Sequence, residues 1–117
     1  MTNPLVDHNL EVTPADVAAA LESGSAAVID VREPYEYEAG RIAGVRHVEL
    51  ERLPSLAETI DRDKPVIFHC RLGVRSIMAA QAFRAAGYDA SSLAGGIQAW
   101  ADEGRPLEPE DGHVADH

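Results

Sequence analysis

Residues 66–76 decide the fold, and they read Val66-Ile67-Phe68-His69-Cys70-Arg71-Leu72-Gly73-Val74-Arg75-Ser76. The apolar run from Val66 to Phe68 predicts a buried strand, and the pattern that opens at Ser76 predicts a helix. Between them lies Cys70, the only cysteine of the chain. Where a strand ends and a helix begins, backbone N–H groups converge and the helix dipole is positive. Because this placement favours a thiolate, the reactive form of cysteine, we predict that Cys70 is the chemical centre.

Short apolar runs alternate with helical patterns along the rest of the chain. Strands are predicted near residues 10–12, 26–31, 45–48 and 88–93, and helices begin at Pro14 and Pro54 and after Gly96. This order predicts an α/β fold with a central, mainly parallel sheet of about five strands, flanked by helices on both faces. Active sites of such sheets lie at the carboxyl ends of the strands. Asp30 and Cys70 both fall at predicted strand ends, so we expect them at the same rim.

The length of 117 residues predicts one domain that buries its own core. We assign residues 10–104 to this domain and residues 1–9 to a flexible N-terminal lead-in. Residues 105–117 are rich in proline, acidic residues and glycine and lack apolar periodicity, so we predict a disordered acidic tail there.

Charge and cysteine content exclude several classes of function. The formal net charge is −10, from 20 acidic and 10 basic residues, and no long basic run offers a nucleic-acid surface. One cysteine excludes a disulfide framework and a multi-cysteine metal site. We predict no cofactor, no metal site, no nucleic-acid partner and no membrane partner. The first residues lack the pattern of a signal peptide, and a free thiol suits a reducing compartment, so we expect a cytoplasmic protein.

The spacing between cysteine and arginine bears on the substrate. A lone cysteine is often inert and buried, but Gly73 and two arginines directly after Cys70 favour a functional thiol. Cysteine-dependent phosphatases place five residues between the cysteine and an arginine that encircles the phosphate. Here four residues separate Cys70 from Arg75. The tighter loop favours a smaller reacting centre, a single sulfur, over a phosphoryl group.

Four motifs together resemble those of the rhodanese-like (thiosulfate sulfurtransferase) family, in its single-domain form. They lie in the family's order along most of the chain, and a histidine usually stands at the position of Arg41. The motifs are Asp30-Val31-Arg32-Glu33-Pro34 with Tyr37-Glu38-Ala39-Gly40, then Gly40-Arg41-Ile42-Ala43-Gly44-Val45, Cys70-Arg71-Leu72-Gly73-Val74-Arg75-Ser76 and Leu93-Ala94-Gly95-Gly96-Ile97-Gln98-Ala99-Trp100.

The resemblance implies a sulfurtransferase that works through a persulfide on Cys70. An anionic donor such as thiosulfate would supply the sulfur, and cyanide or a thiol would accept it. Arg71 and Arg75 would orient the donor, and the backbone of the loop would hold the persulfide. The residues of that loop are Arg71, Leu72, Gly73, Val74, Arg75 and Ser76.

Three other functions stay open beside the sulfurtransferase. One is a persulfide relay that serves a partner protein, and another is a binding module without turnover. The third is a small cysteine-dependent phosphatase or arsenate reductase, against which the loop length argues.

Asp30, Arg32 and His69 are candidates for supporting roles. Asp30 either orients the loop or pairs with a nearby arginine, or it only caps and hydrogen-bonds the end of its strand. For Arg32 we favour a structural salt bridge over contact with substrate. Side chains alternate along a strand, so His69 would face away from Cys70, and we favour a structural role over that of a general base.

Overall fold

The structure is a computed structural model that describes residues 10–117. The lead-in predicted for residues 1–9 lies outside the described residues. Within them, no helix combines the length and the apolar character that crossing a membrane requires.

Five parallel strands form one sheet, which confirms the predicted α/β fold. In space they follow the order β1-β5-β4-β2-β3, so β4 lies at the centre and each of its residues is buried. Burial on both faces explains why this strand reads as a continuous apolar run in the sequence. The strands are β1 (Glu11–Val12), β2 (Ala27–Asp30), β3 (Arg46–His47), β4 (Val66–His69) and β5 (Ala90–Leu93).

Helices cover both faces of the sheet. Val17 of the first helix and Trp100 of the last pack in one core cluster, while Leu53 and Phe83 of the third and fourth pack in the other. At the first helix, Thr13 and Asp16 form a capping box that explains where it begins. The helices are α1 (Pro14–Ser23), α2 (Pro34–Ala39), α3 (Leu53–Leu56), α4 (Val74–Ala85) and α5 (Gly96–Asp102).

The helix predicted from Pro54 is shorter than its pattern indicates. A 3-10 turn at Leu50–Arg52 precedes α3, and a second 3-10 turn at Ala57–Thr59 follows it, so the α-helical part covers only Leu53–Leu56. The Thr59 hydroxyl donates to the carbonyl of Leu56 at 2.6 Å, and such side-chain bonds compete with those of a regular helix. Leu53 and Ile60 are nevertheless both buried, as the apolar spacing requires.

The segment 105–117 follows a defined course, in contrast to the disorder predicted for it. Its backbone pairs with Arg41 through Glu108, with N···O distances of 2.8 and 2.7 Å, and the His113 N–H donates to the Ala39 carbonyl at 2.9 Å. Leu107 and Val114 pack against the core cluster of α1 and α5. No apolar residue other than Pro109 lies between them, so no periodic pattern forms, which is why the sequence did not reveal these contacts.

Candidate active site

Cys70 lies where the sequence placed it, directly after β4 and before α4. Its side chain is only 1% exposed. Gly73 caps the start of α4 with φ of +113°, a conformation that favours glycine, and so the loop turns sharply back over the sulfur. Asp30 and His69 pair in register at the carboxyl ends of β2 and β4, which confirms that Asp30 and Cys70 lie at the same rim of the sheet.

One backbone N–H and one hydroxyl face the sulfur of Cys70. The Gly73 N–H donates to Sγ at 3.1 Å, and the Ser76 hydroxyl lies 3.4 Å from Sγ and 3.2 Å from the Gly73 carbonyl, either of which can accept its proton. Because α4 begins beside them, its dipole adds positive potential at the same place. The loop is therefore built to stabilise negative charge on sulfur.

Ser92 extends this arrangement by one hydroxyl and was missed by the sequence analysis. It lies on β5, is fully buried, and its Oγ is 2.7 Å from the Ser76 Oγ. When Ser92 donates to Ser76, the Ser76 proton has two acceptors left, the Gly73 carbonyl at 3.2 Å and the Cys70 sulfur at 3.4 Å, and a negative charge on sulfur favours the second. A serine within a strand that is otherwise buried was the signal that could have drawn attention to it.

The N-terminus of α5 supports the loop from the other side. Ile97 and Gln98 donate their N–H groups to the carbonyls of Cys70 and Arg71, at 2.9 and 3.1 Å. Gly96 has φ of +63°, and a Cβ there would collide with the backbone of Arg71 and Cys70. Besides its place at the start of α5, Gly96 therefore permits this close packing.

Arg75 is held by a carboxylate and does not project freely into the site. Its guanidinium donates to both oxygens of Glu36 on α2, at 2.8 and 3.0 Å. Burial would raise the pKa of Glu36, but the bonds from Arg75 and from the Glu33 N–H lower it overall. Burial also disfavours the charged form of Arg75 and would lower its pKa, but the hydrogen bonds and the negative charge of Glu36 raise the pKa overall. Both groups are therefore charged, and Arg75 is committed to an internal ion pair.

Arg71 stands at the mouth of the site and is paired as well. Its Nη2 lies 3.1 Å from the Oδ1 of Asp116, in the segment that returns from α5. The mouth is a cavity of about 230 Å³, which suits a small anion or a single incoming side chain. Its lining consists of Cys70, Arg71, Leu72, Val74, Arg75 and His117.

Asp30 and Arg32 form a fully buried ion pair beneath the rim. The guanidinium donates to both Asp30 oxygens at 2.7–3.1 Å and to the Gly40 carbonyl at 2.8 Å. Burial would raise the pKa of Asp30, but the charge of Arg32 and its side-chain and backbone hydrogen bonds lower the pKa. The structural salt bridge predicted for Arg32 is present. Asp30 pairs with this arginine and also accepts a hydrogen bond from the Arg32 N–H at 3.0 Å, so the pairing and the hydrogen-bonding role at the strand end are both seen.

His69 is buried beside this pair, with Nε2 3.8 Å from the Oδ2 of Asp30. Burial lowers the pKa of the ring and outweighs the opposing attraction of Asp30. The ring is therefore neutral at pH 7. Among residues 10–117 neither ring nitrogen has a hydrogen-bond partner, so no hydrogen bond links the ring to the Cys70 sulfur.

One group of potential metal ligands occurs among residues 10–117. Single ligand atoms of Glu33, Glu36 and His117 lie within 4.8 Å of one another. Both carboxylate oxygens of Glu36 already accept hydrogen bonds from Arg75. Because that carboxylate is committed, we assign no metal to this group.

Curated relatives of the chain include named sulfurtransferases. It is 35% identical over 79 residues to the putative sulfurtransferase YtwF of Bacillus subtilis, covering 68% of this chain and 77% of that one. It is 33% identical over 88 residues to the thiosulfate sulfurtransferase GlpE of Stutzerimonas stutzeri, covering 74% and 81%.

Solved structures and a family model also match this chain. A rhodanese-related protein of Thermoplasma volcanium superposes with a TM-score of 0.77 at 31% identity, covering 83% of this chain and 95% of that one. A Rhodopseudomonas palustris protein of unknown function, described as a possible tyrosine phosphatase, superposes with a TM-score of 0.75 at 30% identity. The match covers 84% of this chain and 83% of that one. The model of the rhodanese-like domain matches residues 13–103. The chain therefore belongs to the rhodanese-like domain family, as its four motifs predicted.

Proposed function

We propose that the protein is a sulfurtransferase that moves a sulfane sulfur from an anionic donor such as thiosulfate to cyanide or a thiol. The Cys70 thiolate attacks the outer sulfur of the donor. A new S–S bond forms, the S–S bond of thiosulfate breaks, and sulfite leaves with its electron pair. The acceptor then attacks the outer sulfur of the persulfide and restores the Cys70 thiolate.

The arrangement of donors around one sulfur carries this proposal. The Gly73 N–H and the Ser76 hydroxyl both face Sγ, within a mouth of about 230 Å³. Preorganised donors stabilise the thiolate that attacks and that leaves again in the second step. A cysteine that merely filled the core would not need them.

The state of Arg75 argues for sulfur rather than phosphate as the transferred group. A phosphatase loop needs a guanidinium that is free to bind the phosphoryl oxygens. Here the two Nη atoms of that guanidinium each donate to Glu36, which neutralises its charge and fixes its orientation. Together with the short loop, this disfavours the phosphatase and arsenate reductase alternatives.

A persulfide relay is the second candidate, and one observation favours it. Three apolar side chains stand exposed on the loop and the first turns of α4: Leu72 (56%), Val74 (71%) and Met78 (57%). Thiosulfate and cyanide make no use of an apolar rim, whereas a protein that delivers or accepts sulfur would cover it.

Intact mass spectrometry after treatment with thiosulfate tests the proposal. Wild type should gain the mass of one sulfur atom, the Cys70→Ser variant should gain none, and addition of cyanide should remove the gain. A gain only with a cysteine desulfurase as donor would favour the relay. Hydrolysis of p-nitrophenyl phosphate without any sulfur gain would refute both.

A cytoplasmic location, with no nucleic-acid or membrane partner, remains part of the proposal. A reducing compartment would keep the Cys70 thiol free between turnovers.

A further inference from the structure

We propose that residues 115–117 act as a strap across the mouth, in which Asp116 is an internal counter-anion for Arg71. By pairing with Arg71, the strap lowers the reactivity of Cys70 toward anionic reagents below what the two arginines of the loop alone would give. Asp116 is thus a specificity-determining residue that sets how strongly the site prefers charged over neutral reactants. This inference goes beyond the proposed function, because it concerns access to Cys70 whatever group is transferred.

The fold brings the strap to the mouth from a firmly seated position. Val114, directly before it, packs on the core cluster of α1 and α5. From there the Asp116 carbonyl accepts a hydrogen bond from the Tyr35 hydroxyl at 3.1 Å, and the His117 ring lies 3.2 Å from a carboxylate oxygen of Glu33. The packing of Val114 therefore holds the strap before Asp116, and the contacts with α2 and its N-terminal cap hold it at the Asp116 carbonyl and at His117.

The charge balance at the mouth explains what the strap does. Arg75 is already neutralised by the buried Glu36, so Arg71 is the loop cation that remains for an incoming anion. Asp116 occupies it at 3.1 Å. The Asp116 side chain is 96% exposed, so water and salt weaken the pair and an anionic reactant can displace it. The strap therefore competes with anions without closing the site.

Alkylation of Cys70 by a charged and a neutral reagent measures this competition. Iodoacetate and iodoacetamide attack the same thiolate, so the ratio of their rates cancels any change in the thiolate fraction. Asp116→Asn should raise the iodoacetate-to-iodoacetamide ratio about 1.5- to 5-fold at low ionic strength, the range that exposed ion pairs support. Asp111→Asn is the matched control: it removes the same charge from an exposed tail residue that has no ion pair among the described residues, and it should leave the ratio unchanged.

A second variant separates the position of the strap from the charge of Asp116. Val114→Ser keeps every charge but weakens the apolar seat, so it should raise the ratio in the same direction. The effects should vanish near 1 M salt, where the screening length falls to about 3 Å. An unchanged ratio in Asp116→Asn, or an equal rise in Asp111→Asn, would overturn the inference. Neither result depends on sulfur transfer, so failure here and failure of the persulfide experiment are distinguishable.

Discussion

Replacing Glu36 with glutamine should destabilise the protein by about 2–4 kcal/mol. Glu36 is completely buried and Arg75 is only 16% exposed, so the pair is largely shielded from water. Glutamine keeps the shape of the side chain but leaves Arg75 as a nearly buried cation without a counter-charge. Breaking a fully buried pair costs about 3–5 kcal/mol, and the residual exposure of Arg75 reduces that figure.

Urea unfolding measures the loss, and the same substitution elsewhere on α2 provides the control. Glu38→Gln changes an exposed residue of the same helix and should alter the unfolding free energy by less than about 0.5 kcal/mol. In a double-mutant cycle, Glu36→Gln combined with Arg75→Met should cost less than the two single changes added together, since the lone cation is gone. We expect a coupling of about 1.5–3 kcal/mol.

Two results would refute this reasoning. If Glu36→Gln cost less than about 1 kcal/mol, the carboxylate would not be compensating a desolvated arginine. If the coupling were below about 0.5 kcal/mol, the two residues would contribute to stability independently. Either result would also return Arg75 to the set of cations that are free to bind substrate.

Two further predictions concern the hydroxyl chain and the buried histidine. Ser92→Ala should lower the iodoacetamide rate of Cys70 at pH 7 about 2- to 5-fold, because Ser76 loses the donor that orients its hydroxyl. Adding it to Ser76→Ala should have no further effect, and full additivity would contradict a role through Ser76. The unfolding free energy should fall as pH drops below about 6.5, by up to about 1.4 kcal/mol per pH unit, because the folded pKa of His69 is lowered and only the unfolded chain then takes up the proton. His69→Asn should flatten this slope in urea titrations at pH 5–7, and an unchanged slope would assign it to other groups.

The sequence by itself determined the fold and the position of the reactive thiol. Apolar runs, Thr13 and the glycines specify where strands and helices begin and end, and such signals act over a few residues. Because all five strands are parallel, the carboxyl ends of β2 and β4 have to meet at one rim. Asp30 and Cys70 could therefore be placed together from local patterns alone.

Only the tertiary structure decided how the charges and hydroxyls around Cys70 are used. Arg75 meets Glu36 across 39 residues of sequence, Ser76 meets Ser92 across 16, and Arg71 meets Asp116 across 45. No periodicity links the members of these pairs, because each contact follows from the packing of different elements against the sheet. The resemblance implied two arginines that orient an anion; the structure shows two arginines that already have internal partners, since the fold brings a carboxylate to each of them.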